Sequence, residues 1–185
     1  MQLFEFLMVL VSIIIGLGIT EILSGAGRML RARPTIRSYF IHTLFQVGIF
    51  LALFQQWWES WGLQDLDGIT YDQVLVLLLG PIILFLIAFL LYPDPVEGAN
   101  LRDYYYDQAP LLWGLVALGT VVGTFLKPWM FGDLVVELDN LSGFLTIPFA
   151  LILAASRNPR VHVVLATSML VLLVGDTILS AYLLR

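Results

Sequence analysis

The sequence predicts an all-α integral membrane bundle of six transmembrane helices with both termini on the outer face. Two observations set the class and a third sets the orientation. Hydrophobic residues make up 59% of the 185 and charged ones only 12%, too little polar surface to keep a folded domain in water without large apolar patches. The apolar runs are continuous, with lengths that match a hydrocarbon core of roughly 30 Å at about 1.5 Å per helical residue. A β-barrel would show short alternating segments instead. Of nine Lys and Arg, seven fall in three alternate loops: Arg28, Arg31, Arg33 and Arg37 in the first, Arg102 in the third, Arg157 and Arg160 in the fifth.

The spans follow in order. Leu3–Gly25 opens the chain; its run is long, lacks a basic leader and ends in arginines, so it reads as a first span and not as a cleaved signal. Ser38–Trp61 is the second and Gln73–Tyr92 the third, with Pro81 expected to kink or loosen it. Asn100–Gln108, three tyrosines among charges, is expected to rest along the inner interface as a short helix before the fourth span, Pro110–Leu126. Leu138–Ser156 is the fifth, with Glu137 and Asp139 at its start and Pro148 inside it, and Val161–Leu184 the sixth. The whole chain is expected to form one transmembrane domain, 1–185, with no soluble domain beside it.

Positively charged loops stay in the cytoplasm. The inner side then holds seven arginines against Asp94, Glu97, Asp103 and Asp107. The outer side holds Glu59, Asp65, Asp67, Asp72, Asp133, Glu137 and Asp139 against Lys127 and Arg185. The net charge of −5 thus divides into an acidic outside and a basic inside. Aromatic belts agree: Trp57, Trp58, Trp61, Trp129 and Tyr182 at the outer interface; Tyr39, Tyr92, Tyr104, Tyr105, Tyr106 and Trp113 at the inner one. The Arg28, Arg31, Arg33 and Arg37 cluster should favour anionic lipid headgroups.

Ser12, Gly16 and Thr20, continued by Ser24, make a small-residue stripe in the first span, and Gly119 and Gly123 make another in the fourth. Such stripes let helix backbones approach closely, and packing is the expected role, ahead of lining a narrow water path. Gly16-Leu17-Gly18 looks like a fragment of a nucleotide loop, but no strand precedes it and the run is intramembrane.

Ionisable groups in hydrocarbon are costly and are functional candidates by default. Asp176 lies deepest among the acids, while Glu5 is at the outer rim and Glu21 about one turn from the inner end. Along the second span His42, Gln46, Gln56 and Ser60 share a face, flanked by Gln55 and Glu59. His42 and Gln46 fall in the inner half with Glu21 and His162; Gln55 and Gln56 fall in the outer half with Asp176 and Glu5. Two polar clusters joined by a small-residue stripe suit a gated proton or ion path, and equally suit an inert bundle whose polar residues avoid the midplane.

Other chemistry is mostly excluded. Without cysteine there are no disulfides, thiolate metal sites or Cys nucleophiles. His42 and His162 are the only histidines and, coming from different spans at similar depth, could ligate a haem axially. No other cofactor and no metal is expected. Asp65-Leu66-Asp67-Gly68 has the start of a calcium loop but not its later acids, and reads as a turn. No serine-hydrolase motif is present, and nucleic-acid binding has nothing to recommend it.

The stretch Phe4-Glu5-Phe6-Leu7, with Val11-Ser12-Ile13-Ile14-Ile15-Gly16-Leu17-Gly18-Ile19-Thr20-Glu21, Tyr39–His42 and Trp57-Trp58-Glu59-Ser60-Trp61, resembles a family of small, uncharacterised bacterial inner-membrane proteins. The resemblance covers about the first third of the chain. It implies a bacterial inner membrane and a polytopic helical fold, and no activity. The leading functional expectation is an oligomeric permeation unit for protons, cations or a small solute. Asp176, Gln56, Gln46 and His42 would line its path, with Glu21 as inner proton acceptor. The alternatives are a non-transporting structural or accessory subunit of a larger membrane complex, and a haem- or quinone-binding redox protein. Enzymatic activity is more expected to be absent than present.

Overall fold

A computed structural model describes residues 3–65, 68–132, 134 and 141–183. Asp67, Asp133, Glu137, Asp139, Arg185 and the expected start of the fifth span at Leu138 lie outside the described residues, as do the side chains of Asp65 and Tyr182. Helix dominates, and no strand occurs among the described residues. Five helical stretches are long and apolar enough to cross a membrane: Leu3–Arg31, Phe40–Gln64, Tyr71–Leu90, Leu101–Phe131 and Pro159–Leu179. Ser142–Ala155 is apolar but shorter.

Helix α1 (Leu3–Arg31) runs past the expected end at Gly25. Arg28 and Arg31 suit its last turn, where cations meet the negative end of the helix dipole. It stops ahead of Pro34, which disfavours helical geometry in the residue before it. Helix α2 (Phe40–Glu59) tightens at its far end into a 3-10 segment, Ser60–Asp65. Helix α3 (Tyr71–Leu90) starts where Gln73 Oε1 accepts from the Thr70 N–H at 2.9 Å. The same Gln73 side chain donates to the Met130 carbonyl at 3.2 Å, tying this helix start to another helix.

Helix α4 (Leu101–Val121) corrects the expectation of a separate interfacial helix over 100–108. Asn100 caps it by accepting from the Arg102 N–H, and one unbroken helix runs through Pro110, whose ring faces outward. The tyrosine segment is the first part of this span, with Leu101 and Tyr105 fully buried. A π-helical turn, Val122–Leu126, follows, in which the Lys127 N–H reaches back to the Val122 carbonyl. It sits just before Pro128, which has no N–H and whose ring would crowd the carbonyl four residues earlier. The short α5 (Lys127–Phe131) ends at Gly132, whose φ of 79° is the left-handed cap glycine permits. Helices α6 (Leu141–Ala155) and α7 (Pro159–Leu183) complete the chain, and Pro81 and Pro148 both stay inside continuous helices.

The helices pack in a ring of order α1, α3, α4, α6, α7, α2, closing on α1, with α2 also reaching α3 and α4. In α1 the buried residues are Leu7, Val11, Ile15, Gly18, Ile22 and Gly25, a four-three alternation from Val11 onward that keeps one seam facing its neighbours. Gly18 meets Leu53 and Phe85, and Gly25 lies directly under the Tyr92 ring. The expected stripe does not make these contacts. Nothing lies near a side chain added at Gly16 or Gly123, Thr20 is exposed, and Ser12, half-buried, accepts from the Trp57 indole of α2 at 3.3 Å. The reason is rotational: the buried seam of α1 is offset from that stripe. Gly119 does pack closely, because a β-carbon added there would stand 3.3 Å from the Ile83 side chain.

Candidate functional site

The three arginine-bearing loops meet at one end of the bundle. The Arg37 N–H donates to the Ala99 carbonyl and the Leu101 N–H to the Arg37 carbonyl, both at 3.0 Å, so the first and third loops are paired as backbone. Side chains of α4 and α7 join beneath them. All seven arginines are exposed at this end. Trp57, Trp58, Trp61 and Trp129 are exposed at the opposite end.

Below the arginine loops lies the largest concentration of buried polar groups. His42 is 0% exposed. Its Nε2 lies 2.8 Å from the Leu91 carbonyl, an acceptor only, so this nitrogen carries the proton. Its Nδ1 then accepts from the Gln46 amide at 3.0 Å, which also approaches the Met29 sulfur. Three tyrosine rings, Tyr92, Tyr104 and Tyr105, stand edge-on to the imidazole at 6.2–6.4 Å. A second chain begins at Trp113, which leans back along α4 and donates to the Tyr105 hydroxyl at 2.9 Å. Tyr105 donates in turn to His162 Nδ1 at 2.8 Å, and His162 Nε2 donates to the Ser156 carbonyl at 2.9 Å.

Other tyrosines fasten helix ends. Tyr104 donates to the Leu90 carbonyl at 2.8 Å and Tyr92 to the Ile22 carbonyl at 3.0 Å. Tyr39 and Tyr106 share a bond of 2.8 Å. The inner aromatic belt is therefore corrected in part: Tyr92, Tyr105 and Trp113 are buried within the bundle. Their hydroxyl and indole groups find protein partners where headgroups were expected.

At the other end the polar groups are looser. The Thr177 hydroxyl of α7 is shared between the Leu173 carbonyl at 2.8 Å and Gln55 of α2 at 3.0 Å, and Gln55 donates to Glu59 at 2.9 Å. Gln56 turns the other way, its amide oxygen against Gly80 of α3. Asp176 is half-buried beside Thr177, and Glu5 is exposed. Glu21 is half-buried on α1, outside both hydrogen-bonded groups. Between the ends, Ile49, Leu53, Ile83 and Ile87 fill a layer with exposures of 0–6%. Gln46 and Gln55 are about 13 Å apart along α2 across it, at about 1.5 Å per residue.

His42 and His162 each sit in a separate hydrogen-bonded group. All four ring nitrogens are engaged, and the Tyr105 ring packs against both imidazoles. Axial ligation of a haem would require both Nε2 groups to leave their carbonyls and Tyr105 to move. The expected path residues are likewise divided: His42 and Gln46 sit together, and Gln56 and Asp176 sit beyond the apolar layer. Sequence reasoning missed the roles of Tyr105, Trp113 and Gly25. Only the four-three repeat through Val11, Gly18 and Gly25 carried a signal for the last. No protein-family model, curated protein or solved structure matches this chain.

Proposed function

We propose that the chain is a six-span bacterial inner-membrane protein, of the kind its first third resembles, serving as a non-transporting structural or accessory subunit. Its arginine end faces the cytoplasm, and both termini lie on the periplasmic side. The observation that carries this reading is the apolar layer of Ile49, Leu53, Ile83 and Ile87 between the two polar groups. A permeation unit lined by Asp176, Gln56, Gln46 and His42, with Glu21 as acceptor, needs that layer to part and His42 to give up two hydrogen bonds. Half-buried Ser12 and Gly16, beside a groove of about 230 Å³ bordered by Phe54 and Trp57, support association with another membrane helix.

Purified protein in liposomes loaded with a pH dye tests the reading. Proton and potassium flux at the lipid background is expected across pH and voltage. Flux above background that Asp176→Asn reduces would overturn it. Orientation has its own check, because the chain has no cysteine. In intact cells an impermeant maleimide should label Gly68→Cys, and should label Arg33→Cys only after permeabilisation. The reverse pattern would invert the orientation.

A further inference from the structure

Helix α7 is the least buried of the five long stretches. Between it and α6 runs an apolar groove of about 600 Å³, lined by Leu145 and Phe149 on one side and Val164, Thr167, Val171 and Leu172 on the other. Val164 is 62% exposed and Val171 66%. Arg160, Val164, Thr167 and Val171 recur at helical spacing, so the exposed Arg160 stands at the head of the face that forms this wall. Exposed Arg157 lies in the adjoining turn, and the positive end of the α7 dipole points the same way. From Val163 to Leu172 the wall extends about 13 Å at about 1.5 Å per residue, close to half of a hydrocarbon core of roughly 30 Å.

We propose that this groove holds an acyl chain of one anionic phospholipid from the arginine-side leaflet, with its phosphate between Arg157 and Arg160. Cations at one end, an apolar trough below them and a depth of one leaflet match a lipid's own division into head and tail. A partner helix would continue past the midplane and would not call for paired cations at the rim. A free phosphate would not use the trough. The site is distinct from the first-loop cluster, where Arg33 and Arg37 lie in a loop and Arg28 and Arg31 at a helix end. The inference rests on the membrane-embedded reading above, which alkaline carbonate extraction tests separately.

Native mass spectrometry of the full chain, released from detergent, provides the test. The probes are phosphatidylglycerol, phosphatidylcholine with the same acyl chains, and sn-glycerol 3-phosphate. Phosphatidylglycerol should be retained roughly 30-fold better than phosphatidylcholine, the weight of two arginines near an anionic group. Arg157→Gln with Arg160→Gln should abolish that preference, whereas Arg28→Gln with Arg31→Gln should preserve it. Val164→Trp, filling the trough from an exposed position, should lower retention of both lipids. Unchanged preference in the Arg157/Arg160 variant would overturn the site, as would equal retention of glycerol phosphate. A dimer that Val164→Trp dissociates without changing lipid retention would assign the groove to a second copy. Carbonate release of the chain would overturn both this site and the embedded reading; membrane retention without lipid preference would overturn this site alone.

Discussion

At the arginine end, His42, Gln46, Tyr105 and His162 are buried and bonded to one another or to helix-end carbonyls. At the tryptophan end, Gln55 is half-buried and Thr177 exposed, and their bonds join flexible side chains at the rim. Both ends carry polar bonds between helices, as Gln73 to Met130 and Thr177 to Gln55 show at the tryptophan end, yet only the arginine end joins several buried side chains to one another. The difference follows from what surrounds them. Tyrosine rings exclude competitors around His42, so each polar atom must find its partner inside the protein. A rim residue that loses a partner can turn to water or a headgroup.

Substitutions should reproduce this asymmetry. The largest effect is expected at Gly25, where Gly25→Leu would drive a side chain into the Tyr92 ring and cost up to roughly 3 kcal/mol. Thermal unfolding in detergent reads this directly, and Gly16→Leu on the same helix should stay within about 0.5 kcal/mol. Equal losses at the two glycines would mean that the small-residue stripe, and not the buried seam, packs α1.

Next comes Tyr105→Phe, which keeps the ring but strands the Trp113 indole and the His162 Nδ1 together. A loss of roughly 2 kcal/mol is expected, the range for buried groups left unpaired. A neutral result would show that the chain through Tyr105 contributes nothing to stability. Thr177→Val at the opposite end should change stability by about 0.6 kcal/mol or less, the average for such bonds in membrane helices. If it matched Tyr105→Phe, the contrast between the two ends would collapse.

Much of the architecture was legible. Long apolar runs marked the helices because backbone in lipid must satisfy its own hydrogen bonds, and the arginine spacing foretold which loops would share an end. The π turn before Pro128 was not legible, since proline alone does not say whether a helix breaks or adjusts. Nor was the orientation of Tyr105. Tyrosine suits an interface and a buried carbonyl-rich pocket alike, and its partners Trp113 and His162 become neighbours only when α4 and α7 pack. Glycines misled for a similar reason. Gly16 and Gly25 look equivalent in a list of small residues, and the distant Tyr92 decides between them.

The central claim is that an apolar layer closes the bundle between its two polar groups, and Leu53 lies in the middle of it at 0% exposure. In the cysteine-free chain, Leu53→Cys reports directly on water there. Reacted in liposomes with a membrane-impermeant thiol reagent supplied to both faces, it should remain unlabelled while Gly68→Cys labels fully. Labelling of Leu53→Cys in the folded protein would reveal a water-filled route through the layer and contradict the account.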